Sequence, residues 1–213
     1  MSALIKICGI SSVDALDAAI EARADYFGMV FFPPSPRHVD HHAASALAMR
    51  AGARIGRVGL FVDAGDNLIA EGVQAGRLDA IQLHGEETPA RVALIKERFR
   101  LPVWKAIPIA SGKDIEAAAA FEDVADFLLF DAKTPKGAAL PGGMGLRFDW
   151  SLLNSWRGRS SWGLAGGLSP LNVASAIAET SAPLVDTSSG VESAPGVKAP
   201  QRIRAFCEAA RKA

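Results

Sequence analysis

Ala3-Leu4-Ile5-Lys6-Ile7-Cys8-Gly9 is the stretch from which the architecture can be read. An apolar run of strand length ends in a thiol, a glycine follows at once, and helical spacing takes over at Val13, Leu16, Ala19 and Ile20. The beat then repeats. Short runs rich in Val, Ile, Leu and Phe recur at Tyr26 to Phe31, Arg57 to Val62, Ala80 to Leu83, Val103 to Ile107, Asp126 to Phe130, Trp162 to Ala165 and Leu184 to Thr187, which with Leu4 to Cys8 makes eight strand candidates. Helical spacing lies between them, as at Ala43-Leu47-Ala48, Val92-Leu94-Ile95, Ile115-Ala118-Ala119 and Val173-Ile177. Strands that are apolar almost throughout are covered on both faces, as in a parallel sheet wrapped by helices. Eight βα units in 213 residues predict an α/β chain folded as a (β/α)8 TIM barrel, one catalytic domain over 1–213. A doubly wound open sheet is the alternative. Its dinucleotide version needs Gly-x-Gly-x-x-Gly after an early strand, and here Gly142-Gly143-Met144-Gly145 falls in a mid-chain loop instead.

Composition narrows the partners. Twenty-three basic residues balance twenty-three acidic ones, so no global field favours a nucleic acid or an anionic membrane, and a small molecule is the expected partner. Cys8 and Cys207 are the two cysteines, one in an early strand and one in the final helix, which argues against a disulfide framework and for a reducing cytoplasm. No run approaches membrane-spanning length, and no signal segment is recognisable. Monomer and homodimer both stay open.

In a barrel the loops after the strands share one face, so residues distant in sequence meet there. The strand ends supply Cys8-Gly9, the loop Phe32 to Arg37, Asp63, His84-Gly85, Lys105 with Ile107-Pro108, Asp131, Gly166-Gly167 and Asp186 to Gly190, a set with no hydrophobic plug. The most specific signal is the pair Leu164-Ala165-Gly166-Gly167-Leu168-Ser169-Pro170 and Val185-Asp186-Thr187-Ser188-Ser189-Gly190-Val191-Glu192. Glycines there let backbone approach a ligand, Ser169-Pro170 reads as a helix start, and N–H groups at a helix N-terminus favour phosphate. Cys8 is either a small buried hydrophobe or, near helix N-termini and a phosphate, a thiolate base. Asp131 is a capping carboxylate or an acid whose burial keeps its proton in place. Arg37 ends a proline-stiffened loop, and its planar fork suits a carboxylate. His84 reads as a scaffold histidine or a secondary ligand. His38, His41 and His42 lack the partners of a metal site, and neither metal nor cofactor is expected.

With these residues in place, the chain resembles the phosphoribosylanthranilate isomerase family over nearly its whole length. The matching segments are Lys6 to Ile10, Phe31 to Arg37, Gln82 to Gly85, Phe130 to Lys133, Gly142 to Gly145 with Phe148-Asp149-Trp150, Ala165 to Leu168, and Asp186 to Glu192 with Pro195 to Lys198. The resemblance implies Cys8 as base, Asp131 as acid, Arg37 on the anthranilate carboxylate, Asp186 facing the sugar hydroxyls, and phosphate on Gly166, Gly167, Ser188, Ser189 and Gly190. It implies a cofactor-independent aldose–ketose isomerisation in tryptophan biosynthesis. Two positions depart from the family pattern: Ala199 replaces a common aspartate, leaving the last helix start in doubt, and Ser11 replaces a threonine.

Overall fold

The computed structural model describes residues 2–134 and 145–213, so Gly142, Gly143 and Met144 of the glycine motif lie outside the described residues. Eight parallel strands close into a ring in chain order: β1 (Leu4–Cys8), β2 (Tyr26–Val30), β3 (Gly56–Phe61), β4 (Ala80–Leu83), β5 (Val103–Ile109), β6 (Phe127–Ala132), β7 (Ser161–Leu164) and β8 (Leu184–Thr187). The ring closes where β1 pairs with β8, Lys6 opposite Asp186. β5 and β6 run farther than their apolar stretches, so Pro108 and Asp131 are still strand residues, paired with each other.

A side-chain period of two sorts each strand between two environments. On β1, Ile5 and Ile7 join the large core packed against the helices, whereas Lys6 and Cys8 point into the barrel. The interior is layered. Its floor is Val58, Ala80, Trp104, Leu129 and Leu184 with Tyr26 and Phe127, and the Trp104 ring lies 5.1 Å from Tyr26 and 4.6 Å from Phe127. A buried polar layer of Lys6, Gln82 and Asp186 comes next. Above it Cys8, Val30 and Leu60 line the open end. A floor of interlocked aromatics lies beneath the polar layer, and the cavity opens at the ends of the strands.

The outer ring is α1 (Val13–Glu21), α2 (His41–Ala51), α3 (Asp66–Gly76), α4 (Pro89–Phe99), α5 (Gly112–Ala118), α6 (Val173–Thr180) and α7 (Pro200–Arg211). Ser12, Asp40 and Thr88 cap α1, α2 and α4 through their side chains, each worth about 1 kcal/mol. Three expectations are corrected. Among its described residues the sixth βα unit carries a 3-10 helix, Trp150–Ser155, in place of an α-helix. Leu94 is 58% exposed, because the buried stripe of α4 is Val92 and Ile95 alone. Ser169-Pro170 opens a turn rather than a helix: the Ser169 N–H donates to Asn172 Oδ1 (2.8 Å), and α6 begins at Val173. Ala199 gives α7 no side-chain cap, and the helix still starts because Pro200 fits its first turn without an N–H to satisfy.

After β8 the chain makes a small hairpin, β9 (Glu192–Ala194) and β10 (Val197–Lys198), which sets Glu192 against Lys198. Gly196 is at φ +81°, and a Cβ there would lie 2.4 Å from the Pro36 carbonyl oxygen. The hairpin tip thereby packs directly on the loop that carries Arg37.

Candidate active site

The mouth encloses a space of about 790 Å³, counted out to open solvent. Cys8 enters from β1 and Asp131 from β6, and both line the same space. Asp131 is held on two sides. The Ala132 N–H donates to Oδ1 (2.8 Å), and His84 Nε2 stands 3.1 Å from Oδ2. On the other side of the imidazole, Gln82 Nε2 lies 3.1 Å from His84 Nδ1, so the ring is fixed by the polar layer beneath it. Gly166 allows the next strand end to come close. It sits at φ +86°, and a Cβ there would lie 2.6 Å from the Ala132 nitrogen and 3.1 Å from Asp131 Oδ1.

Cys8 is a buried thiol with its surface on the cavity. Burial pushes its titration above the ordinary thiol value, Lys6 pulls it back, Asp186 opposes that pull and Lys198 adds to it. The positive groups that act on the sulfur are two ammoniums, Lys6 and Lys198. Lys6 Nζ donates to Asp186 Oδ2 at 2.9 Å. Burial also pushes the Asp186 carboxyl up, against the pull of Lys6. Burial alone would lower Lys6, and Asp186 with Cys8 holds it above its ordinary value.

Arg37 uses its fork inside the protein. Its Nε and Nη2 donate to Glu192 Oε1 and Oε2 at 2.7 and 2.8 Å, while Lys198 Nζ donates to the same Oε1 at 2.6 Å. Arg37 also lines the cavity, and Glu192 fixes how its guanidinium is presented there. Burial acts to raise the Glu192 carboxyl, but Arg37 and Lys198 outweigh it and hold it below the usual range. Burial lowers Lys198 against the pull of Glu192.

Removing one partner of such a buried pair leaves the others uncompensated, at about 3–5 kcal/mol. Glu192→Leu is expected to lose stability on that scale in urea denaturation and to raise KM more than it lowers kcat. A group with a depressed folded-state pKa stabilises above its unfolded value, and that contribution is lost as pH falls through the folded one. Part of the wild-type loss on acidification should accordingly be missing from Glu192→Leu.

The loops after β7 and β8 supply Gly166, Gly167, Ser188 and Ser189 to the cavity wall. Gly190 is not on that wall; a Cβ at Gly190 would lie 1.9 Å from the Leu168 carbonyl oxygen, so it allows the two loops to touch. Thr187 Oγ1 donates to that same oxygen at 2.7 Å. Lys198 Nζ donates to Ser188 O and Oγ, both at 3.1 Å, which sets a positive charge behind the β8 loop.

Other strand-end groups serve elsewhere. Lys105 turns away from the mouth to bond Gly85 O (2.7 Å) and Glu87 (2.9 Å), and Asp63 Oδ1 accepts from Glu86 N (2.8 Å), so both brace the loop after β4. His38 Nδ1 faces Val30 O and His41 faces Glu71, on different surroundings. Among the described residues, no three His, Cys, Asp or Glu side chains form a group able to hold a metal.

Sequence reasoning overlooked two features. One is the apolar wall of Val30, Phe32, Leu60 and Val62 along the cavity, where the strand ends had suggested only functional groups. The other is the buried set Lys6, Gln82 and Glu192 behind the named residues. A lysine in an apolar strand two residues before a mouth cysteine was the signal for the first of these three.

Thiol, carboxyl and apolar wall at the strand ends of a closed ring define a class, the (β/α)8 barrels with a candidate acid–base site at the mouth. Residues 5–209 match the family model described as N-(5'-phosphoribosyl)anthranilate (PRA) isomerase. The chain is 52% identical over 207 residues to the N-(5'-phosphoribosyl)anthranilate isomerase of Paramagnetospirillum magneticum, covering 97% of this chain and 96% of that one. Two solved structures superpose on it. One is a phosphoribosylanthranilate isomerase in complex with reduced 1-(o-carboxyphenylamino)-1-deoxyribulose 5-phosphate (TM-score 0.84, 32% identity, 99% and 100% of the chains). The other is of monomers generated from the dimeric enzyme of Thermotoga maritima (TM-score 0.83, 34% identity, 99% and 100%). The chain belongs to the phosphoribosylanthranilate isomerase family, aldose–ketose isomerases of tryptophan biosynthesis.

Proposed function

We propose that this chain converts N-(5'-phosphoribosyl)anthranilate to 1-(2-carboxyphenylamino)-1-deoxyribulose 5-phosphate by acid–base catalysis, with Asp131 as acid and Cys8 as base. The observation that carries this reading is that the two groups reach one cavity from β1 and β6 with an apolar wall beside them. The wall of Val30, Phe32, Leu60 and Val62 suits an aryl ring, and Arg37 at its edge suits the ring's carboxylate. Phosphate goes to the backbone of Gly166-Gly167 and Ser188-Ser189, with Lys198 behind it, and Gly190 shapes that loop. Asp186 Oδ1 is buried without a partner among the described residues, so it can accept from a sugar hydroxyl.

In the first step a proton passes from Asp131 to the furanose oxygen as the anthranilate nitrogen lone pair expels it from C1, giving a Schiff base. His84 faces the oxygen that gives up this proton and is placed to restore it. Cys8 thiolate then takes the C2 proton, and the electron pair of that bond flows toward nitrogen. The enolamine relaxes to the aminoketone. Each positioned proton transfer is worth about a hundred- to ten-thousand-fold.

All the named groups come from one chain, so monomer and homodimer are both compatible assemblies; the Thermotoga maritima relative is dimeric. Two unpaired cysteines suit a cytoplasmic setting, and no described helix is long and apolar enough to cross a membrane. The test is the fluorescence of the substrate, which should fall as the purified protein turns it over in chelator-treated buffer without added cofactor. Stoichiometric binding with no turnover would show a sensor in place of an enzyme.

A further inference from the structure

We propose that Lys6 is the positioning residue of the base: aimed by Asp186, its ammonium is the fixed counter-charge beside the Cys8 sulfur when that sulfur is ionised. The inference rests on Cys8 being the base and goes beyond it, because it assigns the buried charge beneath the mouth.

The argument begins with spacing. Residues two apart on a strand share a face, so Lys6 lies directly below Cys8 inside the barrel. Register supplies the neighbours: Lys6 is opposite Asp186 on β8, and Cys8 is opposite Gly28 on β2. Gly28 has no side chain, and the two groups share the notch it leaves. A Cβ there would lie 3.0 Å from Cys8 Sγ and 3.4 Å from Lys6 Nζ. Lys6 is fully buried, its Nζ 2.9 Å from Asp186 Oδ2.

Stability alone is a poor reason for this arrangement. A buried ion pair can often be replaced by apolar residues at no loss, and this one leaves Asp186 Oδ1 without a partner among the described residues. What the pair does supply is a cation at the sulfur. Burial opposes ionisation of Cys8, and the charges facing it are Lys6 from β1, Asp186 from β8 and Lys198 from β10. Arg37 and Glu192 surround Lys198, and His84 and Asp131 face Asp186. Lys6 is the largest of the charges that offset the burial. In the proton-transfer step the thiolate becomes a thiol, the C2–H electron pair moves into the Schiff base, and Lys6 keeps its protons while donating a hydrogen bond to Asp186. No co-reactant is needed.

The test is the pH dependence of Cys8 alkylation by iodoacetamide in the whole enzyme without substrate, with adducts at Cys8 and Cys207 separated by peptide mapping. Lys6→Met should move the Cys8 midpoint to higher pH and slow alkylation about tenfold at a fixed pH below it, the scale of one nearby charge. Asp186→Asn should move it the other way, since that carboxylate opposes the thiolate. The double variant Lys6→Met/Asp186→Asn leaves neither charge of the pair alone in the core. It should fold and again show the upward shift, which keeps the test decisive if Lys6→Met alone does not fold. The pH profile of kcat/KM should be displaced in the same sense. An unchanged alkylation midpoint in the folded double variant would overturn the proposal and leave Lys6 a structural partner of Asp186. Failure of the underlying reading looks different: Cys8→Ala would then stay active while the alkylation shifts persist.

Discussion

Cys8→Ala is expected to lower kcat by about a hundred- to ten-thousand-fold, the range for one positioned proton transfer, while the reduced product analogue binds with nearly unchanged affinity. The separation follows from what the sulfur touches. It lies over Gly28 and beside Lys6, and the apolar wall, Arg37 and the glycine and serine loops are all set by other strands. Truncation to alanine deletes the proton acceptor and leaves the Lys6–Asp186 pair and the binding surfaces intact. Cys8→Ser should be no rescue, since a hydroxyl is far harder to ionise than a thiol in the same buried place. Single-turnover rates together with an analogue titration decide the matter. A kcat within tenfold of wild type in Cys8→Ala would remove the thiol from the chemistry.

Much of this molecule was legible because a barrel writes its plan in a simple alternation. Leu4–Cys8, Ala80–Leu83 and Leu184–Thr187 are strands at the limits their apolar runs set, since a turn residue or a polar group ends each of them. β5 and β6 were read short because Pro108 and Asp131 are not typical strand residues. Parallel pairing between them carries the strands on. In the sixth unit the described residues carry a 3-10 helix, Trp150–Ser155, which no apolar spacing had marked.

At the site, period two and the strand ends were enough to bring Cys8, Arg37, His84, Asp131 and Asp186 to one cavity. What they could not show is which charge each would meet. Arg37 was read as a fork waiting for substrate, and it is gripped by Glu192, which lies 155 residues away and arrives only through the hairpin after β8. Pairing of this kind is a property of barrel closure, and no window of sequence contains it. The Lys6–Asp186 contact spans 180 residues for the same reason, across the seam where the first and last strands meet.

Asp131→Asn is the companion test and should cost turnover on the same scale, about a hundred- to ten-thousand-fold, through a different step. Asparagine keeps the shape of the side chain. Its carbonyl oxygen can still accept from Ala132 N, and its amide can still face His84, so neither Gly166 nor the cavity wall has to move. The group lost is the proton that the furanose oxygen must receive, and ring opening becomes the slow event. That shift has a signature beyond the loss of rate. With substrate deuterated at C2, a primary isotope effect measures how far the transfer to Cys8 limits turnover. In Asp131→Asn the effect on kcat should shrink toward unity, because the C2–H bond now breaks after the bottleneck. In Lys6→Met, which weakens the base, the effect should hold or grow. An Asp131→Asn enzyme that is slow yet keeps a full C2 isotope effect would place this carboxyl in the second proton transfer and take ring opening away from it.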